Sequence, residues 1–203
     1  MGNELKHDLC GSPLIEEIDN AKWEHFYYID RPGGYSLVSA KSDGRVYFAL
    51  RGGDSREFLP FAFDNFCFFN DGYVCVSIDN AFWVFDVKEK RHLFSVNADC
   101  ICEFRTPLGF IVKRDKKYNI ITNSGEFVSP TWFDYIEGTY SNIFGSPLCR
   151  LNDKWNFLTD TGRTLTDRWF DKYLWHEKGG NICVMQDAGI FYYVYKDGYY
   201  KTI

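Results

Sequence analysis

Lys117–Asp134 (KYNIITNSGEFVSPTWFD) and Lys154–Asp171 (KWNFLTDTGRTLTDRWFD) align without a gap at an offset of 37 residues. Both run Lys–aromatic–Asn, an apolar pair, a polar turn ending in Gly, and a closing Trp-Phe-Asp. An internal copy constrains the fold strongly, because a unit this short cannot bury its own apolar face and must stack on neighbours. The turn glycine carries the register along the chain. Gly53, Gly125, Gly162 and Gly198 are separated by 72, 37 and 36 residues, and 72 is twice 36. Glu89, between Lys88 and Lys90, stands where the missing member is due. The preceding residues (Gly52, Ser124, Thr161, Asp197) suit tight turns that need a positive φ, so each glycine is expected at a hairpin tip.

A second marker is an apolar residue followed by Asp: Phe63-Asp64, Ala98-Asp99, Phe133-Asp134 and Phe170-Asp171, at intervals of 35, 35 and 37. Ile18-Asp19-Asn20 echoes it near the start. The interval from Gly11 to Gly53 is 42, which places an insertion within Trp23–Gly34. The recurring Asp is read as a turn cap, since Asp bonds nearby backbone readily. A shared cation site is the alternative. Between the markers lie short apolar bursts such as YVCVSI, FWVFDV, YNIIT and IFYYVY, bounded by Gly, Asn or Asp, which read as strands. The chain is 19% aromatic, which suits half-buried pleated surfaces. Only Leu14–His25 offers a helical option. The fold class is therefore all-β, with three to four short strands expected per unit.

KWNFLTDTG and KYNIITNSG, each followed by WFD, resemble the bacterial WG-repeat (KWG) pattern: Lys-Trp-Gly-aromatic-Ile-Asp-x-x-Gly, an apolar pair, then aromatic-Asp. The resemblance is good over Val112–Asp171, fair over Tyr35–Asp99 and faint at both ends. The family glycine after Trp is replaced by Asn119 and Asn156. Asn tolerates a left-handed backbone better than other non-glycine residues, so the geometry is expected to survive. Phe82-Trp83-Val84 lacks even that residue. The resemblance implies a non-catalytic interaction module.

A single repeat domain over 1–203 is expected, with units at 35–70, 71–106, 107–143 and 144–180, and with 1–34 joined to 181–203. The two ends would then complete one unit and close a five-bladed, propeller-like ring, which protects sheet edges. An open β-superhelix is the alternative. Trp83, Tyr118, Trp132, Trp155 and Trp169 are expected to pack between units, with Trp155→Ala costing about 3–5 kcal/mol.

No catalytic constellation stands out. His7, His25, His92 and His176 form no i, i+4 pair, and no nucleophile elbow, P-loop or dinucleotide fingerprint occurs. The net charge of −5, evenly interspersed, argues against nucleic acid and anionic membranes as partners. The start, MGNELKHDLC, lacks the apolar core of a secretory signal, so a cytoplasmic location is expected. The seven Cys contain no C-x-x-C pair, and Cys75, Cys149 and Cys183 recur on apolar stretches as small buried hydrophobes. No metal or cofactor is expected. What breaks the repeat is where binding is sought: Trp23, His25, Tyr27 and Tyr28 in the insertion, and Tyr173, Trp175 and His176 between units. The expected function is a non-enzymatic scaffold that binds another protein through a loop-rich face. The alternative is a binder of a small sugar- or nucleotide-like ligand.

Overall fold

The computed structural model describes residues 23–29, 35–42, 45–51, 65–70, 72–78, 81–86, 89, 91–137, 145–176 and 181–203, with the backbone alone for 23–29, 35–42, 45–51, 65–66, 68–70, 103–105 and 176. The regular structure among them is all β. The chain packs as two compact units, Met1–Asn97 and Ala98–Ile203.

In the first unit, β1 (Trp23–Ile29), β2 (Tyr35–Ser42) and β3 (Arg45–Arg51) form one antiparallel meander. A second contains β4 (Asn65–Asn70), β5 (Tyr73–Ile78), β6 (Ala81–Asp86) and β7 (Arg91–Val96). Its core includes Val74, Cys75, Val76, Val84 and Phe85. The insertion read at Trp23–Gly34 falls on the β1–β2 hairpin. Ile29 pairs with Tyr35 across it, whereas the equivalent hairpin pairs Asn70 with Tyr73. Of the segment with a helical option, Trp23–His25 is strand, and residues 14–22 lie outside the described set.

In the second unit three more meanders follow. They are β8 (Cys100–Thr106), β9 (Gly109–Arg114) and β10 (Lys117–Ile121); β11 (Tyr135–Ile136), β12 (Leu148–Leu151) and β13 (Lys154–Phe157); and β14 (Lys172–His176), β15 (Ile182–Asp187), β16 (Ile190–Tyr195) and β17 (Tyr200–Thr202). The core lies between successive sheets. Ile111 and Ile120 of the third sheet pack against Phe133, Ile136, Cys149 and Leu158. Leu148, Phe157 and Phe170 pack against Cys183, Met185, Tyr192 and Val194 of the last sheet. Each fully buried Phe contributes about 1.5–3 kcal/mol by leaving water. Trp155 and Tyr118 are only half-buried at these seams, and Phe170 and Phe133 fill them more completely, so the cost expected for Trp155→Ala belongs to Phe170→Ala instead.

The glycine tips hold where they are described. Gly125, Gly162 and Gly198 have φ of 85°, 75° and 83°. Each donates its N–H to the carbonyl three residues back, at 3.0 Å, which is a type I turn closed by a left-handed glycine bulge. At Glu89 the loop is one residue longer: Asp86 pairs with Arg91, and the Glu89 N–H donates to Asp86 Oδ1 at 3.0 Å. Gly53 lies outside the described residues.

A second series of tips escaped the glycine spacing. Asp115-Lys116, Asn152-Asp153 and Ala188-Gly189 all have positive φ and connect strands by two residues, the type I′ signature. The residues entering these hairpins, Ser42, Ile78, Arg114, Leu151 and Asp187, fall 36, 36, 37 and 36 apart and pair across the turn in all five sheets. This register puts Ala81 at the place of Lys117 and Trp83 at the place of Asn119, which settles the alignment of the second unit.

The sheets divide the chain differently from the expected units. Boundaries at 70, 106, 143 and 180 would each fall between the first and second strands of a sheet. The physical reason lies in the Asp marker. Phe133 and Phe170 still pair with Tyr118 and Trp155 of the sheet being left, and the residue after each Asp enters the next sheet. The last sheet is accordingly built from 172–202, and among the described residues it takes no strand from the other end of the chain.

The left-handed role expected for Asn119 and Asn156 is also corrected. Neither has a positive φ; both sit inside strands, fully buried. Asn156 Nδ2 donates to the carbonyls of Thr166 and Arg168 at 3.0 Å each, and its Oδ1 accepts the Phe157 N–H at 2.8 Å. Asn119 does the same toward Ser129, Thr131 and Ile120. The returning segment pairs with the strand only through isolated bridges near its two ends, and the amide staples the stretch between them by taking up its backbone carbonyls.

Candidate protein-binding face

The last sheet has two unlike faces because its side chains alternate. Tyr192 and Val194 of β16, Cys183 and Met185 of β15 and half-buried Tyr173 of β14 turn inward onto the preceding sheet. Gln186 with Phe191, Val184 with Tyr193 and Ile182 with Tyr195 form the rows of the other face. Trp175 extends the Val184 row, and Lys201 pairs with Tyr193 from β17. The rings of Tyr195 and Tyr199 lie 5.5 Å apart, with Lys201 Nζ 5.8 Å from the Tyr195 centroid. Trp175, Phe191 and Tyr199 are 52%, 46% and 59% exposed.

The sheet before it shows what such a face is built for. A shift of 36 residues carries the rows Leu148–Phe157 and Arg150–Trp155 onto Val184–Tyr193 and Gln186–Phe191. In the fourth sheet, Leu148 and Phe157 are buried and Trp155 half-buried, because the last sheet's inward face covers them. The last sheet repeats the same rows, yet its Phe191 stands in solvent. Exposed aromatics gathered on one sheet face mark interaction surfaces.

Of the residues singled out from sequence, Trp175 belongs to this face and Tyr173 turns away from it. His176 follows on β14, but its side chain is outside the described set. Trp23, His25, Tyr27 and Tyr28 all lie on β1, of which only the backbone is described. Phe191, Tyr193, Tyr195 and Tyr199 were missed. The signal for the first three was the run IFYYVY, where aromatics fall on both faces of one strand; Tyr199 lies beyond it.

Polar groups near the seam are committed to structure. Lys154 Nζ lies 3.0 Å from Asp171 and 2.9 Å from Asp187, and Arg168 reaches Asp187 at 2.6 Å. Lys154 and then Arg168 hold the Asp187 carboxyl below the usual carboxylate range. Lys117 pairs with Asp134 in the same way one unit earlier. Burial pushes the thiols of Cys149 and Cys183 up to about 12, so both stay protonated at neutral pH. Among the described residues no group of three His, Cys, Asp or Glu could hold a metal, and no helix is long and apolar enough to cross a membrane. The chain matches no protein-family model, and no curated protein matches it.

Proposed function

We propose that this chain is a non-enzymatic, protein-binding scaffold of WG-repeat-like units, with the outer face of β14–β17 as its docking surface. The carrying observation is the uncovered repetition of a covered face. Trp155 and Phe157 are covered by the next copy, whereas Phe191, at the place of Trp155, is 46% exposed, and Trp175 is exposed on the same face. Trp and Tyr anchors contribute strongly to binding because they bury large area at low entropic cost.

The test compares the full chain with Trp175→Ala/Phe191→Ala, each immobilised and challenged with native lysate. The variant is expected to keep its melting temperature, because both side chains are exposed, and to lose the proteins retained by the unaltered chain. Identical retention by both would refute the assignment.

A further inference from the structure

We propose that Cys67 and Cys75 form a dithiol site that closes to an intramolecular disulfide when the chain meets a peroxide.

A break in strand register places the two residues. Phe66 pairs with Val76 and Phe68 with Cys75, so Cys67 is the extra residue of a bulge between β4 and β5. In a bulge two residues of one strand stand opposite one of the other. Cys67 and Phe68 therefore share Cys75 as their opposite number. Opposed residues of an antiparallel pair have Cα atoms about 4.5–5.5 Å apart, within the range of about 4.4–6.8 Å that a disulfide bridges. The thiols meet accordingly: both are free, and the Cys75 S–H donates to the Cys67 sulfur.

The bulge recurs along the chain, but the thiol pair does not. In the last sheet the same break falls between Tyr173 and Trp175 and sets Leu174 opposite Val184. In the third sheet it follows Ile101, so Cys102 takes the place of Cys67 while Ile111 takes the place of Cys75. Among the described sheets only the second carries sulfur at both positions.

The two thiols differ in the way the chemistry requires. Cys67 is half-buried, and the hydrogen bond from Cys75 holds its thiol below the ordinary range, whereas Cys75 is fully buried. The thiolate is the reactive form, so Cys67 is the attacking group and Cys75 the resolving one. The Cys67 thiolate attacks one oxygen of hydrogen peroxide, the O–O bond breaks, and the departing hydroxide takes up the thiol's proton to leave as water. Cys67 is then a sulfenic acid. The Cys75 sulfur displaces its hydroxyl, the S–S bond forms, and the hydroxyl leaves with the Cys75 proton as a second water. The pair loses two electrons and one peroxide becomes two waters.

The experiment treats the folded full chain with hydrogen peroxide, alkylates it with iodoacetamide in denaturant and digests it with trypsin. Residues 57–88 contain both thiols, no other cysteine and no internal Lys or Arg before Lys88, so one peptide reports the pair. The expected product is that peptide unalkylated, lighter than its reduced form by two hydrogens, and restored by dithiothreitol. Cys75→Ser should leave Cys67 as a sulfenic acid that dimedone captures, and Cys67→Ser should leave buried Cys75 a thiol at the same dose. The unaltered chain decides the matter even where a variant fails to fold. Full alkylation of Cys67 and Cys75 after exposed Cys100 has been oxidised would overturn the proposal. Cys67 bonded to Cys100 or to another copy would do the same. A bridge that forms no faster in the folded chain than in urea also overturns it, since the bulge would then contribute nothing to the pairing.

Discussion

Asp171 Oδ2 accepts the backbone N–H of Ala188 at 2.7 Å, capping a hairpin 17 residues further along the same sheet. Asp134 does this for Asn152, also at 2.7 Å. The recurring Asp is thus a cap, as its repetition implied, but a distant one. It also holds the Lys of the preceding unit, Lys154 for Asp171 and Lys117 for Asp134. In these two units one carboxylate locks a turn in its own sheet to a strand of the sheet before.

Acid should loosen that lock. The carboxyl of Asp171 is lowered by the Ala188 N–H and then Lys154, Asp134 by Lys117 and then the Asn152 N–H, and Asp187 by Lys154 and then Arg168. A depressed folded pKa contributes stability that is complete above the unfolded value, about 3.9 for Asp, and lost as pH falls through the lower folded value. The melting temperature should be flat from neutral pH down to about 5 and drop below about 4. Asp187→Asn should be less stable at neutral pH and converge with the unaltered chain in acid; parallel curves would refute the linkage.

Asn156→Gly introduces the glycine that the WG-repeat pattern has at this position and should nonetheless destabilise by about 2–3 kcal/mol. It strands the buried Phe157 N–H and the Thr166 carbonyl, while the Arg168 carbonyl keeps only the Thr166 hydroxyl. Denaturant unfolding measures this directly. A neutral result would return the position to a backbone role.

Gly162 and Gly189 share a left-handed φ, 75° and 80°, but not the same surroundings. A Cβ on Gly162 would stand 1.9 Å from the Val128 carbonyl oxygen of the preceding unit, whereas one on Gly189 meets nothing within 4 Å. Gly189→Ala should cost about 1–2 kcal/mol of backbone strain. Gly162→Ala should cost clearly more, since Val128 is backbone and cannot step aside. Equal losses in thermal unfolding would show that the tip does not press on its neighbour.

Ala188 holds φ 50° where the preceding repeat has Asn152 at φ 51°. Ala188→Asn should stabilise by about 0.4–1 kcal/mol, because Asn accepts this conformation more readily and the N–H given to Asp171 is kept. A lowered melting temperature would contradict the turn assignment.

Thiol reactivity should follow burial. At a pH of about 8, iodoacetamide should modify exposed Cys100 in the folded chain, while Cys149 and Cys183 react only after unfolding. Peptide mapping of native labelling that found Cys149 modified first would show that the inter-sheet core opens.

The period, the strands and the glycine tips were legible in the sequence because each is a local matter. Gly125, Gly162 and Gly198 are demanded by a turn that closes within four residues, and strand alternation needs only nearest neighbours. The type I′ dipeptides are equally local but carry a weaker signal, because only Ala188-Gly189 among the described ones contains glycine. What the chain could not disclose by itself was decided by partners one repeat away. The sheet boundary after each Asp, the staple made by Asn119 and Asn156, and the orientations of Tyr173 and Trp175 all depend on which copy packs where. Trp155 and Phe191 are equivalent positions in one repeat, and tertiary structure alone makes one a seam and the other a surface, since burial is a property of the neighbour and not of the residue.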